Sequence, residues 1–209
     1  MSSHQSKGII MHIEGPAGKL EYEIDKPLSG TNKPLAVLCH PHPLYGGSMH
    51  DAILSSTTAV LLKHEIMCVR FNFRGVGSSE GRHDKGEGER EDLKAITDHF
   101  STLHPEKPLW LVGYSFGSMI SWETIPEIKP EKVLLVAPPI KHMEFKKHGL
   151  GKVVSVVAGD QDEYIDVQKL KELEIKSLSI LQGSDHFFTG QSAEFSSAVD
   201  EFIAEKAPG

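Results

Sequence analysis

Two serines of this chain stand in a Gly-x-Ser-x-Gly pattern: Ser115 in Gly113-Tyr114-Ser115-Phe116-Gly117, and Ser79 in Gly77-Ser78-Ser79-Glu80-Gly81. The pattern carries chemistry where a strand turns sharply into a helix. There the glycines let the two elements pack closely, the serine is exposed as a nucleophile, and the next backbone N–H can help bind an oxyanion. Ser115 has that setting: the apolar run Leu109-Trp110-Leu111-Val112 precedes it and Ser118-Met119-Ile120-Ser121-Trp122-Glu123 follows it. Ser79 is followed by Arg82, His83, Asp84, Lys85 and two more glycines, a poor start for a helix. A serine hydroxyl is a weak nucleophile until an imidazole accepts its proton, and that imidazole works best with a carboxylate fixing its tautomer. Downstream, Gly159-Asp160-Gln161-Asp162 and Ser184-Asp185-His186-Phe187-Phe188 complete the order Ser, Asp, His. His186 is the candidate base. Asp160, Asp162, Asp166 and Asp185 compete for the acid, and Asp185 is badly placed to bond its own neighbour.

These residues need a scaffold that brings them together. Short apolar runs at Leu35 to Cys39, Ile66 to Phe71, Leu109 to Val112, Val133 to Ala137, Val153 to Ala158 and Leu178 to Leu181 read as core strands. Helical spacing between and after them, in Leu93, Ile96, Phe100 and Leu103 and again in Phe195, Ala198, Val199, Phe202 and Ile203, predicts a mostly parallel α/β sheet with helices on both faces. Gly8 to Glu14 and Lys19 to Asp25, around Gly15-Pro16-Ala17-Gly18, read as an antiparallel hairpin at one sheet edge. Ligands of such sheets sit beyond the carboxyl ends of the strands, which is where His40 to Ser48, Ser115, Asp160 to Asp162 and Ser184 to Phe188 fall.

Composition excludes several classes. With 209 residues and no evident linker, residues 1–209 are expected to form one domain. The chain is 39% hydrophobic and 24% charged, has no apolar run near membrane-spanning length, and its first residues, Met1 to Lys7, lack the apolar core of a secretory signal. A cytoplasmic location is expected. A net charge of -7 argues against nucleic acid or an anionic membrane as the main partner. Cys39 and Cys68, each in an apolar strand-like run, read as buried free thiols. His40 and His42 lack paired Cys or carboxylate ligands at short spacing, so loop shaping is the reading for them and neither a metal nor a cofactor is expected. Arg74-Gly75-Val76-Gly77 reads as a structural turn, since no Gly-Lys-Ser/Thr ending follows.

The order of Ser115, Asp162 and His186 and their places after strands resemble the α/β-hydrolase superfamily over essentially the whole chain. Within it, Cys39-His40-Pro41-His42-Pro43, Phe71-Asn72-Phe73-Arg74-Gly75-Val76-Gly77-Ser78-Ser79-Glu80-Gly81 and Asp185-His186-Phe187-Phe188 look like a small, capless family of bacterial hydrolases. The resemblance implies a serine nucleophile, a histidine base and an acid after the seventh strand, which it places at the end of Gly-x-x-Asp, here Asp162. Glu163-Tyr164-Ile165-Asp166 departs from the Val-Pro pair common in that loop. The resemblance also puts His40-Pro41 where a His-Gly pair is common. The oxyanion donors are then the amides of Phe116 and His42, with Leu44 as the fallback because prolines cannot donate.

Only Pro138 to Lys152 separate two successive strands where many α/β-hydrolases insert a lid, so no cap domain fits. An open, shallow site is expected, walled by Tyr45, Phe116, Met143, Phe145 and Phe187. The leading function is a serine hydrolase of small carboxylic esters or thioesters acting through an acyl-enzyme, with peptides ranked below. The competing readings are a non-catalytic binding protein on a hydrolase scaffold and a metal-assisted hydrolase using His40 and His42.

Overall fold

Side chains alternate between two cores along the central strands. In β3 (Leu35–Cys39), Leu35, Val37 and Cys39 join one apolar cluster while Ala36 and Leu38 join the other, and all five residues are buried. A strand that is apolar on both faces must be covered on both, and helices do so. The computed structural model describes residues 10–28 and 33–207. Among them, β1 (Met11–Gly15), β2 (Gly18–Asp25), β3, β4 (Met67–Phe71), β5 (Leu109–Tyr114), β6 (Lys132–Val136), β7 (Val154–Gly159) and β8 (Ser177–Leu181) form one sheet in the order β1-β2-β4-β3-β5-β6-β7-β8. From β4 to β8 all pairings are parallel, and β2 pairs antiparallel with both β1 and β4. The edge hairpin stands where the sequence puts it, although Gly8 and Ile9 of its expected first strand, like the polar segment Met1 to Lys7, lie outside the described residues.

Helices α2 (Glu87–Leu103) and α3 (Phe116–Ile128) pack on the face holding Leu93, Ile96, Phe100 and Trp122. Helices α1 (Ala52–Lys63) and α5 (Ser192–Ala204) cover the opposite face with Leu54, Leu61, Phe195 and Phe202. The short α4 (Val167–Lys171) lies between β7 and β8. This is the α/β-hydrolase fold. After β6 the chain reaches β7 through a loop and one 3-10 turn, Gly151–Val153, so no cap intervenes.

Two buried polar clips fix the frame. On β6, the Lys132 ammonium donates to the carbonyls of Phe202, Ile203 and Glu205 at the end of α5 and lies over the rings of Trp110 and Phe202. Those carbonyls have no partner within the helix, so the lysine caps α5 and pins it to the sheet. In the segment after β4, Arg74 is held by Asp92 of α2 at 2.8 Å. Ser79 donates to the Asn72 carbonyl at 2.7 Å and accepts the Glu21 amide at 2.9 Å. The second Gly-x-Ser-x-Gly match is thus a buried tie between the hairpin and the sheet, with its hydroxyl fully engaged.

Candidate active site

The turn around Ser115 depends on α3 coming closer to β3 and β5 than side chains would allow. A Cβ at Gly117 would stand 2.2 Å from the Cys39 carbonyl oxygen, and one at Gly113 would stand 2.3 Å from that of Gly117. Between them Ser115 adopts φ +52° and ψ -117°, a region that non-glycine residues avoid and that costs on the order of 1–3 kcal/mol. Its amide donates to the Val136 carbonyl at 2.9 Å, which anchors the strained residue to β6.

Ser115, His186 and Asp162 make one hydrogen-bonded chain. His186 Nε2 lies 3.0 Å from Ser115 Oγ, and His186 Nδ1 lies 2.7 Å from Asp162 Oδ2. The Asp162 side chain is fully buried, and its other oxygen accepts the Tyr164 amide at 2.8 Å. Every rival acid has a backbone task instead. Asp160 accepts the Gly183 amide at 2.6 Å, and Asp166 caps α4. Asp185 accepts the amides of Thr189 and Phe187, which hold its carboxyl below the usual range. The same bonds stiffen the loop that carries His186. Tyr114 donates to the His186 carbonyl at 3.2 Å, and Phe188 inserts into the core against Phe195.

Phe116 is the first residue of α3, so its amide has no acceptor within the helix. That amide and the amide of His42 donate to no group among the described residues, whereas the Leu44 amide is taken by His42 Nδ1 at 3.2 Å. Two orphan donors are what a developing oxyanion requires, and His42 lines the same cleft as Ser115. Beneath them, the His40 side chain is enclosed: Nδ1–H donates to the Pro41 carbonyl at 2.6 Å, and Nε2 accepts the Phe73 amide at 3.1 Å. Both nitrogens are occupied, and among the described residues no group of three or more His, Cys, Asp or Glu is arranged to hold a metal ion. Burial pushes the Cys39 thiol up to about 12, which leaves it a poor nucleophile.

Burial holds His40 down at about 4, against ~6.5 for an exposed imidazole. The unfolded chain therefore binds a proton that the folded chain refuses between those values. The stability His40 protects is complete above about pH 6.5 and is lost as pH falls toward about 4, amounting to about 3 kcal/mol across the window. Urea unfolding at about pH 7 and about pH 4.5 should show a steeper loss in the native protein than in His40→Asn. Equal losses would mean that His40 does not contribute to the acid sensitivity.

The site opens into a cleft of about 520 Å³. Tyr45, Met143 and Phe187 line it as the sequence reading expects, with Tyr45 88% and Phe187 65% exposed at its mouth. Phe145 does not. It is buried against Trp122, whose Nε1–H bonds the Lys146 carbonyl at 2.8 Å and draws this segment onto α3. Phe116 is buried too and faces a neighbouring groove. Tyr114, Tyr164 and Asp51 line the cleft without having been singled out by their sequence context. Asp51 caps α1 through Oδ1 while burial raises its carboxyl above the usual range.

Residues 32–177 match the family described as serine aminopeptidase, S33. The chain belongs to this α/β serine hydrolase family. An uncharacterised protein of Rickettsia prowazekii is 30% identical over an alignment covering 92% of this chain and 87% of that protein. An α/β serine hydrolase without a lid from Xanthomonas campestris superposes with a TM-score of 0.89 at 29% identity, covering 100% of this chain and 99% of that one. An α/β serine hydrolase homologue from Coxiella burnetii gives 0.85 at 32% identity over 97% of this chain and 100% of its own. Among the described residues no helix is long and apolar enough to cross a membrane.

Proposed function

We propose that this family member hydrolyses small carboxylic esters or thioesters through an acyl-enzyme, with Ser115 as nucleophile, His186 as general base and then acid, and Asp162 as the orienting carboxylate. The observation that carries this reading is the unbroken chain from Ser115 Oγ through His186 to Asp162 at 3.0 and 2.7 Å. In the first half-reaction His186 takes the Ser115 proton as Oγ attacks the carbonyl carbon. The amides of Phe116 and His42 receive the oxyanion, and His186 returns the proton to the departing alcohol or thiol. Water repeats the sequence to free the acid and regenerate Ser115. No cofactor enters. Tyr45 and Phe187 contribute substrate contacts at the mouth, and the motifs from Cys39 to Pro43 and from Phe71 to Gly81 support membership in a small lidless group.

The open mouth bears on chain length. Each methylene contributes ~0.8 kcal/mol only while it is buried, so gains end where the acyl group projects into water. On p-nitrophenyl esters kcat/KM is expected to peak at short acyl chains, on the order of two to six carbons, in a pocket of this volume. A rate still climbing at long, lipid-like chains would contradict the open-pocket reading.

A second reading draws on the family description. Asp51, half-buried in the cleft with one carboxylate oxygen unengaged, could meet the ammonium group of an aminoacyl substrate. Faster turnover of aminoacyl p-nitroanilides than of short esters would favour it.

A further inference from the structure

One histidine–carboxylate pair outside the triad is largely buried. His83 Nδ1 stands 2.7 Å from Glu89 Oε1, a contact outside hydrogen-bonding geometry, with the Glu89 side chain fully buried and that of His83 11% exposed. The pair is held rigidly, because Glu89 also accepts the amides of Asp84 at 2.9 Å and Gly86 at 2.7 Å. His83 packs its ring against those of His42 and Phe116, the two residues assigned to the oxyanion. Its Nε2 has no partner among the described residues, and His83 lines a separate groove of about 380 Å³.

This groove shares two walls, His42 and Met143, with the cleft at Ser115. Apart from the histidines its lining carries three basic and three acidic side chains, and these are unevenly paired. Arg90 is bound by Glu87 and Glu123, and Glu123 also fixes the Lys146 amide at 2.8 Å. The ammonium groups of Lys85 and Lys146 have no ion pair among the described residues, and Glu144 is the one carboxylate of the lining without a partner there. Lys85 is held at φ +53°, a left-handed conformation that a lysine rarely adopts. Met119, Met143 and Phe116 give the groove apolar flanks. The apolar flanks suit methylenes, and the two unpaired ammonium groups together with the unpartnered Nε2 of His83 acting as donor suit an anion.

Direction follows from the chemistry at Ser115. His186 must protonate the leaving group, so the leaving group lies beside the His186 loop and the acyl group extends the other way. No residue from the loops carrying Asp162 and His186 lines the second groove. Resting on the serine hydrolase reading, we infer that the groove is the distal acyl subsite and that it takes the free carboxylate of a dicarboxylic acid monoester or monothioester.

The test compares p-nitrophenyl hydrogen adipate with two length-matched neutral references, p-nitrophenyl hexanoate and the adipate methyl ester. Native protein should favour the free carboxylate in kcat/KM by on the order of tenfold or more, with the preference shrinking as salt is added. In His83→Gln the ratio of anionic to neutral substrate should fall toward one. If that variant does not fold, the double variant Lys85→Gln/Lys146→Gln, altered at two exposed positions, should lower the same ratio. A native ratio near one, with Ser115 still labelled by a fluorophosphonate, would overturn the inference alone. A ratio unmoved in the variants would do the same. Absence of labelling would overturn the hydrolase reading and the inference with it.

Discussion

Ser115→Ala should abolish turnover, with kcat on any working ester falling by on the order of 10⁶, because removing the nucleophile of a coupled triad costs nearly as much as removing the whole unit. Covalent labelling by a fluorophosphonate should vanish in the same variant. The control is Ser79→Ala, which removes the other serine of the same five-residue pattern. Ser79 has its hydroxyl committed to the Asn72 carbonyl and the Glu21 amide, and it is buried. Its loss should lower stability through unsatisfied backbone groups while the label still reaches Ser115. Label persisting in Ser115→Ala, or mapping to Ser79, would remove the basis of the proposed mechanism.

The base and acid should separate by magnitude. His186→Ala is expected to cost on the order of 10⁶ in kcat, comparable to loss of the nucleophile, since without the imidazole nothing takes the Ser115 proton. Asp162→Asn should cost on the order of 10⁴, because the imidazole remains but its tautomer and charge lose their partner. Asp160→Asn tests the alternative acid. Asp160 holds the Gly183 amide at 2.6 Å, so its substitution should loosen the neighbouring turn with an effect far below that of Asp162→Asn. A crippled Asp160→Asn beside a near-normal Asp162→Asn would transfer the role.

What the sequence reveals and what it hides divide by range. The strand–turn–helix around Ser115 is a local event written in consecutive residues, apolar before and helix-forming after, and so it can be read directly. The same holds for the apolar run of β3 and for the short connection after β6 that leaves the cleft without a lid. The choice among Asp160, Asp162 and Asp166 is different, since all three carboxylates fit the composition of a loop. The family resemblance names Asp162 where the residues alone do not decide, and in the fold Asp160 turns to Gly183 and Asp166 to α4 while Asp162 faces His186. An aromatic residue in a loop near the site, such as Phe145, has no local sign of burial, so the sequence alone puts it at the mouth. The Trp122 bond to the Lys146 carbonyl that pulls it inward joins positions far apart in sequence. The second groove was hidden for the same reason, its walls being drawn from four separate segments.

The Lys132 clip has a temporal consequence. Ser115 is built from the middle of the chain, but His186, its base in the proposed mechanism, arrives on the loop after β8, an edge strand whose residues are all only partly buried and whose single sheet neighbour among the described residues is β7. On the proposed mechanism Ser115 has no proton acceptor unless β8 is paired and α5 docked, and Lys132 on β6 fastens α5 in place. The same dependence acts under stress. Fraying at the β8 edge would carry His186 away from Ser115 while β3, β5 and β6 still hold together, so the molecule falls silent before it comes apart.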